Sequence, residues 1–259
     1  MPAKTNKVIV FAIPRFGEMF ESFYATQIMK GVSTVIEKSN YDLLLHIYDK
    51  ENFSDIFDLK FSNPDAVDGF IFADINGNEE FVHKIKKLKA PYIILNNIFE
   101  EPDTNYVGID NKAAAAEMVE YLIQLGHKRI ATITGDLSTQ AGKMRLLGYK
   151  EALSEHKIEI KDEYILEGDF KREKSREAAK KLLKERPRPT AIFAACDLMA
   201  FQVMTVAIEN DVKVPDELSV AGFDDSPFAT LSYISITTIS QPLFDMGKIG
   251  TEALIDIIE

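Results

Sequence analysis

Cysteine is nearly absent from this 259-residue sequence, in which Cys196 is the single example. One cysteine excludes an intrachain disulfide and a metal site built from several thiolates, and it is typical of a reducing compartment. No uninterrupted apolar run is long enough to predict a transmembrane helix. The apolar stretch 8–13 is also too short and poorly shaped for a signal peptide. We therefore expect a cytoplasmic protein that does not contact a membrane.

Basic residues are outnumbered by acidic ones. The sequence has 30 lysines and arginines and 41 aspartates and glutamates, which give a net charge of −11. This balance argues against binding of DNA or an anionic membrane by the chain alone, since both favour clustered Lys and Arg. The hydrophobic fraction of 46% is sufficient for a substantial core. The length allows one large α/β domain or two domains of ordinary size.

Motifs for catalysis and for metal or cofactor binding are missing. The four histidines are scattered along the chain, without the spacing of zinc ligands. The sequence contains no G-x-x-x-x-G-K-[ST] phosphate loop, no G-x-G-x-x-G run and no G-x-S-x-G nucleophile motif. We therefore expect no cofactor, no metal ion and no catalytic residues. An enzyme on a doubly wound sheet remains an alternative hypothesis.

Short apolar runs alternate with segments of helical periodicity. The runs lie at 8–13, 43–48, 69–74, 92–97, 129–135, 191–196 and 218–223. They are nearly continuous in apolar character, which is typical of parallel strands covered by helices on both faces. The segment 111–127 opens with an Asp–Asn pair suited to helix capping and stops at Gly126. The alternation predicts a doubly wound α/β fold.

Three stretches carry a more specific pattern. They are "LGHKRIATITGD" with "KMRLLGYKEAL" (125–153), "RPTAIFAACDLMAFQVM" (188–204), and "VPDELSVAGFDDSPFA" with "ITTISQPLFDMG" (214–247). In order and spacing they resemble the ligand-sensing core of the LacI/GalR (lactose/galactose repressor) family of bacterial transcription regulators. The resemblance extends from about residue 7 to about residue 258.

The resemblance implies a periplasmic-binding-protein-like fold of type I, in which two Rossmann-like, doubly wound lobes are joined by crossing hinge strands. We expect the N-terminal lobe at 5–108 plus 240–259 and the C-terminal lobe at 109–239. The lobes of this family close on a small molecule, and here a sugar is the predicted effector. A nucleobase and a protein co-regulator of the phosphocarrier type remain open as alternatives.

The resemblance also implies a homodimer whose effector controls operator DNA through an N-terminal helix-turn-helix domain. The sequence before Val8 leaves no room for that domain. We therefore expect DNA binding only through a missing segment, and we expect the family's closing C-terminal strand to be missing after Glu259. The alternative function is a substrate-binding protein of a carbohydrate transport system, for which a signal peptide would be typical.

Two adjacent carboxylates in "GFDDSP" are the leading site candidates, because like charges side by side need a partner. The family position of Asp224 accepts hydrogen bonds from ligand hydroxyls or amines, and a turn or cap residue is the alternative. Arg145 in "MRLLGY" matches the family's cleft arginine, which could grip hydroxyls and balance Asp224; a surface ion pair is the alternative. Phe170 matches a lid position that covers a sugar face, and it reads equally well as a core residue.

Four further residues complete the predicted ligand site. Asn96 ends a strand at the cleft edge of the first lobe, with an Asx-turn as the alternative. Gln241 contacts the ligand from the returning segment or else secures the hinge. Tyr24 and Phe20 are the predicted ligand-facing aromatics, although aromatics at helical spacing are more often core residues.

The strand end "AACD" departs from the family pattern, because Cys196 stands where an asparagine is usual. A thiol is a weak hydrogen-bonding group, so one ligand contact is lost or remade there. Asp197 is then expected to cap the following helix, and Asp225 to serve the turn. Arg15 lies in an unusual loop that would suit a charged effector. His127 is predicted to be structural.

Overall fold

The computed structural model describes residues 7–15, 22–49, 66–75, 79–88, 90–100, 103–231 and 234–259. The chain divides into two compact units. The first consists of Met1–Ile109 with Pro242–Glu259, and the second of Asp110–Gln241.

Strands and helices alternate along the chain, as the sequence predicts. The elements of the first unit are β1 (Val8–Pro14), α1 (Phe23–Ile36), β2 (Asp42–Tyr48), β3 (Gly69–Ala73), α2 (Glu79–Lys86), β4 (Tyr92–Leu95) and β5 (Tyr106–Val107). The second unit contains α3 (Asn111–Gln124), β6 (Ile130–Thr134), α4 (Gln140–Glu155), β7 (Ile165–Glu167), α5 (Arg172–Leu182), β8 (Ala191–Ala194), α6 (Asp197–Glu209) and β9 (Ser219–Ala221). The last helix, α7 (Leu243–Ile258), belongs to the first unit.

Both sheets are parallel. The first has the strand order β2-β1-β3-β4-β5 and the second the order β7-β6-β8-β9. This confirms the predicted α/β class with parallel sheets. Strands β5 and β7 were not predicted, because two- and three-residue strands bordered by polar residues leave no apolar run.

The faces of β1 show why the strands are apolar throughout. Ile9 and Phe11 pack on one face with residues of α1 and α7, whereas Val10 and Ala12 pack on the other with residues of α2. All four are essentially buried. A strand covered on both faces has no solvent-facing position that would favour a polar residue, so the alternating pattern disappears.

In the second unit, local capping agrees with the sequence analysis. Asp110 accepts hydrogen bonds from the backbone N–H groups of Lys112 and Ala113 and so begins α3. His127 lies between α3 and β6, with Nδ1 2.9 Å from Oγ1 of Thr190 and Nε2 3.0 Å from Oγ of Ser219. These contacts give His127 the structural role that the sequence indicates.

Within the described ranges, none of the helices has both the length and the apolar character needed to cross a bilayer.

Candidate functional site

Three of the predicted site residues meet beyond the carboxyl end of β9. Oδ1 of Asp224 accepts a hydrogen bond from Nε2 of Gln241 at 2.7 Å and lies 3.5 Å from Nη1 of Arg145. All three belong to the second unit. The carboxyl edge of a parallel sheet is where open α/β folds bind their ligands, so this cluster is the candidate functional site.

Arg145 is fixed on α4 by its surroundings. Its Nε donates to Oδ1 of Asn111 at 2.9 Å, and its Nη1 donates to the carbonyl of Ala195 at 2.6 Å. The guanidinium carbon also lies 3.6 Å from the centre of the Phe223 ring. With 3% of its surface exposed, Arg145 is not part of a surface ion pair. Its planar fork is held in place before any ligand arrives.

The Asp224 carboxylate is carried on a strained backbone. Asp224 has a φ of 110° and Asp225 a φ of 55°, both on the side that favours glycine; we call these two residues the carboxylate turn. The N–H of Asp224 donates to the carbonyl of Ile239 at 2.8 Å. Positive φ values of non-glycine residues cost roughly 1–3 kcal/mol each and cluster at functional sites.

Asp197 corrects one expectation from the sequence. The N-cap of α6 is Cys196, whose side chain makes no capping bond, and Asp197 is the first helical residue. Its carboxylate instead accepts the backbone N–H of Ser226 and the hydroxyl of Thr238, each at 2.6 Å. The cap was a reasonable local prediction, but these partners are 29 and 41 positions away in sequence and leave no local signal.

Burial controls the protonation of the site. It raises the pKa of Asp224 to about 7, and the negative charge of Asp197 acts in the same direction. The Arg145 charge and the hydrogen bond from Gln241 oppose the rise, because both favour the charged carboxylate. Burial likewise raises the pKa of Asp197, against the hydrogen bonds that it accepts. Asp224 therefore exchanges its proton near neutral pH.

Two buried polar atoms of the second unit, Oε1 of Gln241 and Oγ1 of Thr134, have no hydrogen-bond partner among the residues that the structure describes. A buried polar atom without a partner costs roughly 1–3 kcal/mol, so such atoms in native proteins usually meet a ligand or water. Sequence analysis missed Thr134, for which composition offers no signal.

Phe170 and Cys196 follow β7 and β8, the two strands that pair with β6 on either side. Phe170 has a φ of 54° and is half-buried against the core of the second unit. Its ring covers Gly135, where a Cβ atom would stand 2.0 Å from Cζ of Phe170. Cys196 is buried, and its burial, with the Asp224 charge, raises the pKa of the thiol. The thiol therefore stays protonated and is a poor nucleophile.

The remaining predicted residues belong to the first unit. Asn96 follows β4 with a φ of 62°, is buried, and has no hydrogen-bond partner for Oδ1 within the described residues. Tyr24 is half-buried on α1 and packs against the core. Arg15 is exposed, and its backbone N–H donates to the carbonyl of Tyr48. Phe20 lies outside the described residues.

Asn97 is a residue of the first unit that the sequence analysis missed. Its Nδ2 donates to the carbonyl of Ile75 at 2.9 Å, and its Oδ1 has no partner in the described part of the chain. Together with Asn96 it provides two buried amide oxygens beyond the carboxyl end of β4. The paired asparagines after an apolar run were a signal that could have drawn attention to both.

The described ranges contain no group of three or more His, Cys, Asp or Glu residues that could hold a metal ion.

Comparison with known proteins identifies the family. A family model described as a periplasmic binding protein-like domain matches residues 119–259. Catabolite control protein A of Priestia megaterium is 33% identical over 255 residues, which cover 98% of this chain and 76% of that protein.

Two solved structures are similar over nearly the whole chain. A regulatory protein of the LacI family from Chloroflexus aggregans has a TM-score of 0.85 and 29% identity, and the match covers 97% of this chain and 90% of that one. A complex of the transcriptional regulator CelR with cellobiose has a TM-score of 0.86 and 26% identity, with 98% and 79% covered. This chain therefore belongs to the LacI/GalR family of transcriptional regulators.

Proposed function

We propose that the chain is the effector-binding part of a transcriptional regulator and that its effector is a sugar held by Asp224, Arg145 and Gln241. The observation that carries the proposal is a buried cluster in which Gln241 and Arg145 both approach Oδ1 of Asp224. The similar regulator CelR was solved with cellobiose, which supports a sugar as the ligand class.

The chemistry of the cluster suits neighbouring hydroxyl groups. The carboxylate of Asp224 accepts hydroxyl donors, and the guanidinium of Arg145 donates to hydroxyl or ring oxygens. Oε1 of Gln241 offers a further acceptor that is still without a partner in the described residues. The ring of Phe170 covers the apolar face of the sugar. Because Arg145 is already fixed, little conformational freedom is lost on binding.

The other predicted ligand residues, Asn96, Tyr24, Phe20 and Cys196, remain part of this proposal. Asn96 is the strongest of these candidates, because its buried Oδ1 is a hydrogen-bond acceptor. A sugar hydroxyl that donates to Oδ1 would give this atom its hydrogen-bond partner.

Effector binding then changes the operator affinity of a DNA-binding domain in a cytoplasmic homodimer. Such coupling requires that the effector bind the two conformations of the regulator with different affinity. Neither transport nor catalysis is favoured by a specific observation, and the relatives described above are regulators.

A thermal-shift panel of sugars, sugar phosphates, nucleobases and amino acids tests the proposal. A ligand at 100 times its dissociation constant adds about 2.7 kcal/mol to the free energy of unfolding, which raises the melting temperature by several degrees. We expect a sugar to give this shift with the wild-type chain and with Asp225→Asn, but not with Asp224→Asn. A panel in which no sugar shifts the wild-type chain would overturn the sugar assignment.

A further inference from the structure

The buried carboxylate of Asp197 is hydrogen-bonded to residues that adjoin the carboxylate turn. Oδ2 of Asp197 accepts the backbone N–H of Ser226 at 2.6 Å, and Oδ1 accepts the hydroxyl of Thr238 at 2.6 Å. The backbone N–H of Asp197 also donates to the carbonyl of Phe223 at 2.8 Å. Because Phe223 and Ser226 flank the turn on its two sides, these bonds fix both of its ends to the first residue of α6.

The approach of this carboxylate depends on a glycine. A Cβ atom on Gly222 would lie 2.3 Å from Oδ1 of Asp197 and 3.3 Å from its Cα. Any other residue at position 222 would therefore force the Asp197 carboxylate out of its present position. A backbone with two consecutive positive φ values relaxes unless its surroundings hold it. The close approach of Asp197 to Gly222 allows its carboxylate to hold this backbone.

We propose that Asp197 is the positioning residue for effector recognition, because its carboxylate holds the carboxylate turn in the conformation that presents Asp224 to the ligand. The proposal rests on the proposed function. Asp197 itself is fully buried and does not need to touch the effector. Its action on the ligand passes through the backbone of the turn.

Asp197 also acts on Asp224 through its charge. Among the described residues, the other charged or titratable groups that interact with these two carboxyls include Arg145 on α4, Cys196 before α6, and Asp225 in the turn. The negative charge of Asp197 raises the pKa of Asp224. Removing that charge must lower this pKa, an effect that a residue with only a packing role would not produce.

Two variants separate the hydrogen bonds from the charge. Asp197→Ala removes both. Asp197→Asn removes the charge but keeps an oxygen that accepts the Ser226 N–H, and its amide N–H can donate to the hydroxyl oxygen of Thr238. Tyr149→Phe is the control for lost stability, because it removes a buried hydroxyl that donates to the carbonyl of Ile130 in the same unit.

The first measurement uses the ligand-free protein. Carbon-detected NMR titration gives the pKa of Asp224, and hydrogen exchange gives the protection of the Ser226 amide. In Asp197→Ala we expect this amide to exchange at least about tenfold faster, and in Asp197→Asn to stay close to wild type. In both variants the Asp224 midpoint should fall below 7, whereas Tyr149→Phe should change neither value. An unchanged Ser226 amide in Asp197→Ala, or an unchanged midpoint in Asp197→Asn, overturns the proposal.

The second measurement is calorimetric titration with cellobiose. We expect Asp197→Ala to bind about tenfold or more weakly, Asp197→Asn to recover most of the affinity, and Tyr149→Phe to bind as wild type. Wild-type affinity in Asp197→Ala also overturns the proposal. If the wild-type chain does not bind cellobiose, that result counts against the proposed function with this sugar, while the ligand-free measurement still decides the role of Asp197.

Discussion

Gln241 donates from Nε2 to Oδ1 of Asp224 at 2.7 Å. The bond joins the strained turn after β9 to the last residue of the second unit. It satisfies the donor end of the Gln241 amide and leaves Oε1 as the acceptor end, which has no partner in the described residues. The bond thereby orients the amide and leaves Oε1 available as an acceptor.

Replacing Gln241 by Met should raise the pKa of Asp224 above 7, because the lost hydrogen bond favours the charged carboxylate. The sugar should also bind about 3- to 10-fold more weakly, since a neutral hydrogen bond contributes about 0.5–1.5 kcal/mol. NMR titration of the carboxyl group and calorimetry measure the two effects. A pKa that does not move would show that the bond has no influence on the charge of Asp224.

Arg145→Met should lower the free energy of unfolding by about 2–4 kcal/mol. The substitution removes the buried guanidinium that donates to Oδ1 of Asn111 and to the carbonyl of Ala195, and with it the positive charge beside the Asp224 carboxylate. The pKa of Asp224 should rise, because its stabilising positive charge is gone. Urea unfolding and NMR titration measure these changes.

The control for that variant is Arg176→Met, which breaks an ion pair with Glu209 that is partly exposed to solvent. Solvent screens pairs of this kind, so their loss changes the free energy of unfolding little. Equal losses of stability in the two variants would mean that the burial of Arg145 has no energetic consequence.

The contribution of Asp224 to the stability of the wild-type chain should fall as the pH rises from about 4 to about 7. The folded chain keeps a proton on Asp224, with its pKa near 7, while the unfolded chain, with the ordinary value of 3.8, has released it. Unfolding then releases protons, so the free energy of unfolding falls by up to about 1.4 kcal/mol per pH unit within this window.

Urea unfolding at pH 5 and pH 7 checks this prediction against Asp224→Asn. The variant should have a flatter dependence, because only the raised pKa of Asp197 and the lowered pKa of His127 remain of the groups discussed above. The contribution of His127 is common to both proteins, whereas the loss of the Asp224 charge lowers the pKa of Asp197 and flattens the dependence further. Identical slopes would place the pKa of Asp224 in its ordinary range.

Phe170→Ala should weaken sugar binding about 3- to 10-fold, the contribution expected for a ring that stacks on a ligand. Gly135→Ala should weaken it as well, because the added Cβ would collide with Cζ of the ring and displace it. In the double variant the collision is gone, so the two effects should not add. Additive losses in a double-mutant cycle would contradict the packing of Phe170 on Gly135.

Much of the fold could be predicted from the sequence, because strands covered on both faces leave continuous apolar runs such as 8–13. The two shortest strands, β5 and β7, could not be predicted in this way. The meeting of Asp224, Arg145 and Gln241 depends on contacts between distant positions, and only the resemblance to a family indicated it. The role of Asp197 escaped both approaches, since its local sequence fits a helix cap and its partners lie far along the chain.

The most direct test of the account is the affinity for the panel's best sugar, measured by calorimetry at pH 6 and pH 8 with the wild-type chain and Asp224→Asn. Sugar hydroxyls that donate to the Asp224 carboxylate favour its charged form. With a pKa near 7 in the free protein, the wild-type chain should bind about tenfold more tightly at pH 8 than at pH 6. Asp224→Asn should bind weakly at both values. Wild-type affinity in Asp224→Asn, or a wild-type affinity that does not change with pH, would contradict the assignment of Asp224 as the residue that receives the effector.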